Sequence, residues 1–200
     1  SETFSTGLGE LTIGLKAHQY YSGNLPGEFT ETDGAGSAWL KTDEAGTYYT
    51  LPGVADNKPS WNPNATRWAW AWSITLDGDR PAIGELLMQM SVVGPDGTTR
   101  DPFSGTGGSF DAGGDFGSTS DLAYQNAWNT GYGFWSPAFD PHAVGDYLIG
   151  LTVFANDSGS PGDELGANSI TVTAVPIPSA GVLGLAGLAM IAGVRRRTVC

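Results

Sequence analysis

Cysteine and basic side chains are both scarce in this sequence of 200 residues. Its single cysteine is Cys200, which excludes a disulfide within the sequence and any cysteine-based metal cluster. Only 9 Lys and Arg residues stand against 21 Asp and Glu residues, and the formal net charge is -12 at pH 7. Because a surface of this charge repels phosphate groups, the sequence predicts no nucleic-acid partner.

Motifs of the common catalytic sites are also missing. The sequence has no Gly-x-Ser-x-Gly nucleophile elbow, no His-Glu-x-x-His metal motif, no P-loop and no dinucleotide-binding glycine pattern. The two histidines, His18 and His142, lack the neighbours of a triad or ligand set, so we expect both to be solvent-exposed. The protein is therefore expected not to be an enzyme. A carboxylate pair drawn from distant strands stays open as an alternative.

Alternation of apolar and polar residues, the period-two pattern of a half-buried strand, runs through most of the sequence. It is clearest at residues 11–17, 68–76, 147–154 and 170–174, looser at 86–93, and weak at 39–42 and 48–51. About seven strands separated by turn signals are typical of an immunoglobulin-like sandwich. We therefore predict an all-β body of antiparallel strands over residues 1–174. A weak helical pattern covers residues 121–128.

Seven tryptophans make a carbohydrate-binding module an alternative function, since flat aromatic rings pack against sugar faces. Trp68, Trp70 and Trp72 alternate with alanines, which predicts a buried stripe and more exposed neighbours such as Ala69. Aromatic residues in turn-rich stretches are better ligand candidates, because loops hold side chains in solvent. These candidates are Trp61, Trp128, Tyr132 and Trp135.

A tyrosine opens the most hydrophobic strand of the body. In Phe139-Asp-Pro-His-Ala143-Val-Gly145-Asp-Tyr147, a turn leads through glycine and one further residue to Tyr147. This spacing resembles the tyrosine corner of immunoglobulin-like domains, in which the phenol oxygen bonds to the backbone upstream. A tyrosine that is simply buried at a strand start is the alternative.

Calcium is the one cofactor with support from composition. Asp77 and Asp79 lie in a predicted turn and carry the oxygen ligands that calcium prefers. Asp and Gly are also the residues that hairpin turns need, and the spacing does not match an EF-hand. We therefore favour ordinary turn chemistry and expect no metal or other cofactor.

The C-terminal segment differs in kind from the body. Residues 175–179, Val-Pro-Ile-Pro-Ser, are expected to be extended, because each proline fixes its own φ and restricts its predecessor. Residues 180–194 then carry no charge, and Arg195, Arg196 and Arg197 follow. As a hydrophobic helix, residues 178–194 would span roughly 25 Å, the lower limit for a bilayer core about 30 Å thick. The positive-inside rule would leave the arginines in the cytoplasm and the acidic body outside.

This tail resembles a known sorting signal. Val175, Pro176, Ile177, Pro178 and Ser179, followed by the hydrophobic segment and the arginines, are similar to the PEP-CTERM signal of bacterial exported proteins, with Ile177 where the named motif has Glu. The resemblance covers residues 175–200. It implies an exosortase-type processing enzyme as a partner, a transient membrane anchor, and display or release outside a bacterium of Gram-negative type, often beside extracellular polysaccharide.

Together these observations predict an exported, non-enzymatic protein of structural or adhesive role at the cell surface or in the extracellular matrix. Two alternatives stay open. One is a carbohydrate-binding module that uses loop aromatics, and the other is a secreted hydrolase with an unrecognised carboxylate site. Fold alone cannot separate them, because sandwiches host all three.

Overall fold

The computed structural model describes residues 1–7, 9–20, 30–32, 38–56, 60, 62–77, 86–100, 123–131, 139–158 and 160–176. Within these ranges the secondary structure consists of eleven β-strands, without a helix. In chain order the strands are β1 (Glu2–Thr6), β2 (Gly9–Gln19), β3 (Thr30–Thr32), β4 (Ala38–Leu40), β5 (Tyr48–Thr50), β6 (Trp68–Asp77), β7 (Leu86–Val93), β8 (Thr99–Arg100), β9 (Ala123–Trp128), β10 (Gly145–Asp157) and β11 (Ser160–Ala174).

The strands form two sheets. One has the order β3-β4-β2-β6-β9, with β1 also paired to β2, and the other has the order β5-β11-β10-β7-β8. Neighbouring strands are antiparallel, as predicted, except that β5 runs parallel to β11. The predicted all-β class is therefore confirmed for the described residues, and one parallel pair is added to the predicted antiparallel pattern.

One hydrophobic core lies between the two sheets, because alternate residues of each strand point inward. The predicted tryptophan stripe lies in this core: Trp68, Trp70 and Trp72 are each at most 1% exposed. The ring of Trp68 meets Tyr147 of the facing sheet edge-on, with centroids 5.1 Å apart. The facing sheet repeats the alternation with Met88, Met90, Val92, Tyr147, Ile149, Leu151 and Val153.

Ala69 departs from the expected alternation. It lies on the outer face of β6, yet it is fully buried, because it packs with Tyr20 and Ala65 in a second, smaller apolar cluster. The first sheet is therefore covered on both faces near the start of β6. Strand parity alone gives which face a residue occupies, but it does not show whether that face is covered.

Residues 123–128 form strand β9, so the helical pattern predicted over residues 121–128 is wrong for the described part of that segment. β9 pairs with β6 from Ala123 opposite Thr75 to Trp128 opposite Trp70. On the side that faces β6, the backbone groups of β9 are paired by this long-range ladder, and tertiary pairing overrides a weak local pattern.

The eleven strands exceed the predicted seven because four strands carry little sequence signal. β3 and β8 have 3 and 2 residues, too few for alternation to be recognised. β1 has the mainly polar sequence ETFST, and the residues of β9 follow a weak helical pattern. All four lie at or beside a sheet edge, where one side of a strand has no strand partner among the described residues.

The last strand ends at the border that the sequence predicts between body and tail. β11 ends at Ala174, and the backbone N–H of Val175 then donates to the carbonyl of Thr50 at 2.9 Å. The Val175 side chain packs against the core, whereas Pro176 is exposed. The remaining tail lies outside the described residues, including Ile177, Pro178, Ser179, the predicted hydrophobic helix over 180–194, Arg195, Arg196 and Arg197.

Candidate functional site

Several connections between strands meet at one end of the two sheets. Backbone hydrogen bonds fasten them together: the N–H of Gly53 donates to Pro141 O at 2.6 Å, and the N–H of Arg67 donates to Gly53 O at 3.2 Å. Gly53 has a φ of 116°, which side-chain-bearing residues rarely adopt, so this junction requires glycine. We call this region the loop end, and its described residues are 51–56, 62–67, 129–131 and 139–144.

A buried polar cluster centred on Asn129 locks two of these loops together. Asn129 Oδ1 accepts from the N–H groups of Thr66 at 3.0 Å and Gly131 at 2.8 Å. Its Nδ2 donates to the carbonyls of Thr66 at 3.1 Å and Trp68 at 2.6 Å. The hydroxyls of Thr66 and Thr130 lie 3.0 Å apart. Since Asn129 is fully buried, these bonds replace the ones that water would make.

The loops that flank three of the predicted ligand aromatics meet at Gly131. A Cβ atom at this position would collide with the backbone carbonyl of Asn64, so the two chain segments lie directly against each other. Trp61, Tyr132 and Trp135 themselves lie outside the described residues. The structure therefore brings together described neighbours of these aromatics, and binding by their side chains stays a prediction.

Asn62 is a buried amide at the loop end. It is 1% exposed, and neither Oδ1 nor Nδ2 has a hydrogen-bond partner among the residues that the structure describes. Its backbone carbonyl accepts from the N–H of Ala65 at 3.2 Å, which closes the local turn. A buried amide left unpaired costs about 1–3 kcal/mol. The amide thus keeps two donors and one acceptor without a partner in the described part of the chain.

Arg67 and His142 both lie next to Gly53. A Cβ atom on Gly53 would be 3.6 Å from Arg67 Nε and 3.8 Å from His142 Nδ1. Arg67 also contacts Asp56, with 3.8 Å between Nη2 and Oδ1, and donates from Nε to Val54 O at 3.4 Å. His142 is exposed, as predicted. These side chains give the loop end a polar surface with several donors beside a glycine.

The Tyr147 hydroxyl bonds back to the chain upstream, as its spacing predicts. It donates to the carbonyl of Asp140 at 3.4 Å, and the ring packs edge-on against Phe139 with centroids 5.9 Å apart. Burial, reinforced by the negative charges of Asp140 and Asp96, raises the pKa of Tyr147 to about 12. The phenol therefore stays protonated at neutral pH and fixes the entry of β10.

Trp128 lies in the core, and its predicted place in a solvent-exposed loop is wrong. It is the last residue of β9 and is 1% exposed. Its ring meets Trp72 edge-on, with centroids 5.5 Å apart. The pairing of β9 with β6 directs the side chain inward. A tryptophan just before an Asn-Thr-Gly turn gives no signal that separates a strand end from a loop.

His18 lies on the outer face of the first sheet, opposite Ala69 in register. It is half-buried, so its predicted exposure is wrong. Burial lowers the pKa of His18, because an imidazolium loses hydration there, and the hydrogen bond between Nδ1 and Gln19 O at 2.9 Å acts in the opposite direction.

The candidate calcium residues lie at the other end of β6. Asp77 is the exposed last residue of the strand, opposite Glu10 in register, and Asp79 lies outside the described residues. In the described ranges, no group of three or more His, Cys, Asp or Glu side chains is placed to hold a metal ion. The same ranges contain no helix that is long and apolar enough to cross a bilayer.

Comparison with known proteins gives no match: no protein-family model, no curated protein and no solved structure is significantly similar to the chain.

Proposed function

We propose that this chain is an exported, non-enzymatic protein of the bacterial cell surface or extracellular matrix, delivered by a PEP-CTERM-like tail that an exosortase-type enzyme processes. The observation that carries the proposal is the junction at residues 174–176. β11 ends at Ala174, Val175 is held by Thr50, and Pro176 is exposed. The core of the body is thus assembled from residues that precede the prolines, hydrophobic segment and arginines of the tail.

Charge supports the direction of export. The net charge is -12, although three of the nine basic residues are Arg195, Arg196 and Arg197. Basic residues that follow a hydrophobic segment stay in the cytoplasm, and the acidic body would then lie outside. The role proposed there is structural or adhesive, with extracellular polysaccharide as a neighbour, because the sequence carries none of the common catalytic motifs.

The finer fold that we propose is an immunoglobulin-like sandwich. The order β2-β6-β9 corresponds to strands A, B and E of such domains, and β7-β10-β11 corresponds to C, F and G. In this assignment Tyr147 opens strand F, and its bond to the backbone of Asp140 is the bond of a tyrosine corner. The agreement of strand order and tyrosine geometry supports the assignment.

A second candidate function is carbohydrate binding at the loop end. The contact between Gly131 and Asn64 joins the loops that lead to Trp61 and Tyr132, and Asn62 offers a buried amide beside them. Aromatic rings next to hydrogen-bonding amides are the chemistry that sugar recognition uses.

A glycan array on the full chain tests this second candidate. Binding that is lost in both Trp135→Ala and Asn62→Ala but is kept in Asn64→Ala would support it, because Asn64 is exposed in the same loop. No binding to any glycan would leave the structural or adhesive role alone.

Fractionation of the full chain tests the leading proposal. In a Gram-negative host the full chain should sediment with membranes and resist carbonate extraction, while a chain ending at Pro176 should be soluble. The triple variant Arg195→Gln, Arg196→Gln, Arg197→Gln is the control for orientation, and it should lose its fixed topology. Recovery of the full chain as a soluble monomer without detergent would overturn the anchor.

A further inference from the structure

We infer that the loop end faces the lipid bilayer for as long as the tail anchors the protein. The opposite end of the body, where β10 and β11 are joined between Asp157 and Ser160, then faces away from the bilayer, and we call it the hairpin end. This inference rests on the proposed function, because it takes residues 180–194 as the membrane segment. The occupant of the surface is a bilayer. Three features of the chain support this orientation: the place where the tail leaves the fold, the distance that the tail can reach, and the positions of exposed apolar and charged side chains.

The tail leaves from the loop end. Ala174 pairs with Gly145, which directly follows the loop 139–144. Val175 is bonded to Thr50, three positions before Gly53 at the junction of the loops. The other end of β11 forms the hairpin with β10, where Asp157 is opposite Ser160.

The reach of the tail is short compared with the body. From Val175 to Ala180 the chain extends at most about 18 Å, and Pro176 and Pro178 stiffen this stretch. β10 has 13 residues, so the body measures about 43 Å along this strand. The tether is therefore too short for the body to turn end over end and bring the hairpin to the bilayer.

Exposed apolar side chains concentrate beside the exit of the tail. The large hydrophobic residues that are exposed in the described part of the chain are Tyr49, Val144 and Leu148, at 36%, 48% and 46%. Tyr49 is opposite Thr173, Leu148 is opposite Thr171, and Val144 precedes Gly145, so all three adjoin the last residues of β11. Tyrosine and aliphatic side chains suit the boundary between headgroups and hydrocarbon.

The charged side chains also favour the loop end as the surface that faces the bilayer. The hairpin end carries acidic side chains without a basic one among its described residues: Glu10, Asp77, Asp157, Asp163 and Glu164. The loop end and the strand starts beside it also carry acidic side chains, but two of these four are paired with arginines, Asp56 with Arg67 and Asp96 with Arg100. The other two acidic side chains there are Asp140 and Asp146. Anionic headgroups therefore repel the hairpin end more strongly than the loop end.

The orientation has a consequence for ligands. The loops that lead to Trp61 and Tyr132 open on the loop end, so a large polysaccharide can approach them only after the tail is cut. Processing would then control access to that surface as well as release of the protein.

Cysteine accessibility in vesicles tests the orientation. In a Cys200→Ser background, the full chain would carry either Val144→Cys at the loop end or Ser160→Cys at the hairpin end, both exposed positions. After reconstitution into phosphatidylcholine vesicles with a fraction of phosphatidylglycerol, each would be reacted with a maleimide on a bulky polymer. We expect the cysteine at position 144 to react several-fold more slowly than the cysteine at position 160.

A lengthened tether provides the matched control. A Gly/Ser insertion of about 20 residues between Pro176 and Ile177 adds a mean reach of about 25 Å, and the two labelling rates should then become similar. Intrinsic tryptophan fluorescence checks that each variant is folded. Equal rates at both positions in a vesicle-bound chain of native tether length would overturn the orientation alone. A full chain that does not float with vesicles would overturn both the orientation and the proposed anchor.

Discussion

At the scale of single residues, the loop end depends on the amide of Asn129. Its side chain accepts from two backbone N–H groups and donates to two carbonyls, and it thereby joins Thr66, Gly131 and the first residue of β6, Trp68. A sequence of Asn-Thr-Gly after a tryptophan predicts a turn and nothing more. Its partner Thr66 lies far away in the sequence, so only the fold reveals the cluster.

Replacing Asn129 with alanine should lower the free energy of unfolding by about 2–4 kcal/mol, because it leaves several buried backbone groups without partners. Urea denaturation followed by tryptophan fluorescence measures this change. Asn64→Ala is the control, since Asn64 is exposed in the adjoining loop, and it should change stability by less than about 0.5 kcal/mol. Similar effects of the two substitutions would show that the buried cluster does not hold the loops.

His18 should make stability depend on pH. Its pKa in the folded state is lowered from 6.5, so the unfolded state takes up the proton first as the pH falls. Stability is therefore complete above the unfolded pKa of about 6.5 and decreases as the pH falls toward the folded pKa. The melting temperature of the protein should be lower at about pH 5 than at about pH 7.5, and His18→Gln should reduce this difference.

The carboxyl groups of Asp43 and Asp96 titrate at lower pH than the two values at which the melting temperatures are compared. Hydrogen bonds to backbone N–H groups lower the pKa of Asp43 and of Asp96 below 3.8, so their contribution is lost only at more acidic pH. An unchanged difference in melting temperature between the two pH values in His18→Gln would therefore assign the effect to a group other than His18.

At the scale of elements, alternation was informative where strands are long and one face is buried. β2, β6 and β10 have 11, 10 and 13 residues, and their apolar residues occupy the core as the period-two pattern predicts. The pattern failed for β9, because the ladder with β6 determines that strand and the local residues do not. It also failed for Ala69, whose outer face is covered by Tyr20 and Ala65.

The candidate site is less predictable than the fold, because it also depends on contacts between segments that are distant in the sequence. The sequence indicates which aromatic residues lie in turns, but it does not show which turns meet in space. Asn62, the contact of Gly131 with Asn64, and the position of Arg67 beside Gly53 all follow from how the two sheets pair. For Trp128 the sequence is misleading in another way. Its neighbours are typical of a turn, which predicts an exposed ring, but the ring is buried and packs on Trp72.

Trp72 tests the assignment of the core. Trp72→Ala should lower the free energy of unfolding by about 3–5 kcal/mol, because it opens a cavity between the sheets and removes the contact with Trp128. Thr75→Ala is the control, since Thr75 is exposed on the same strand and should change stability little. Thermal and urea unfolding measure both. A Trp72→Ala protein that keeps its melting temperature but loses a ligand would place this tryptophan in a binding site.

At the scale of the whole molecule, the body contains the packed core, and the tail contains the residues that resemble a sorting signal. The body buries its apolar residues between two sheets and ends with Val175 packed against the core. The tail carries the uncharged segment 180–194 and the three arginines. A cut between Ala174 and Val175 would remove a hydrogen bond and an apolar contact from the fold, so processing that leaves the body intact must occur beyond Val175.

Delivery and processing through the tail determine the mass of the protein that is recovered from the cell surface. Intact-mass spectrometry of that form should give a C-terminus near Ser179, with residues 180–200 removed. The double variant Pro176→Ala, Pro178→Ala is the control, and it should stay unprocessed in the membrane fraction. A surface form that still ends at Cys200 would show that the tail is not processed.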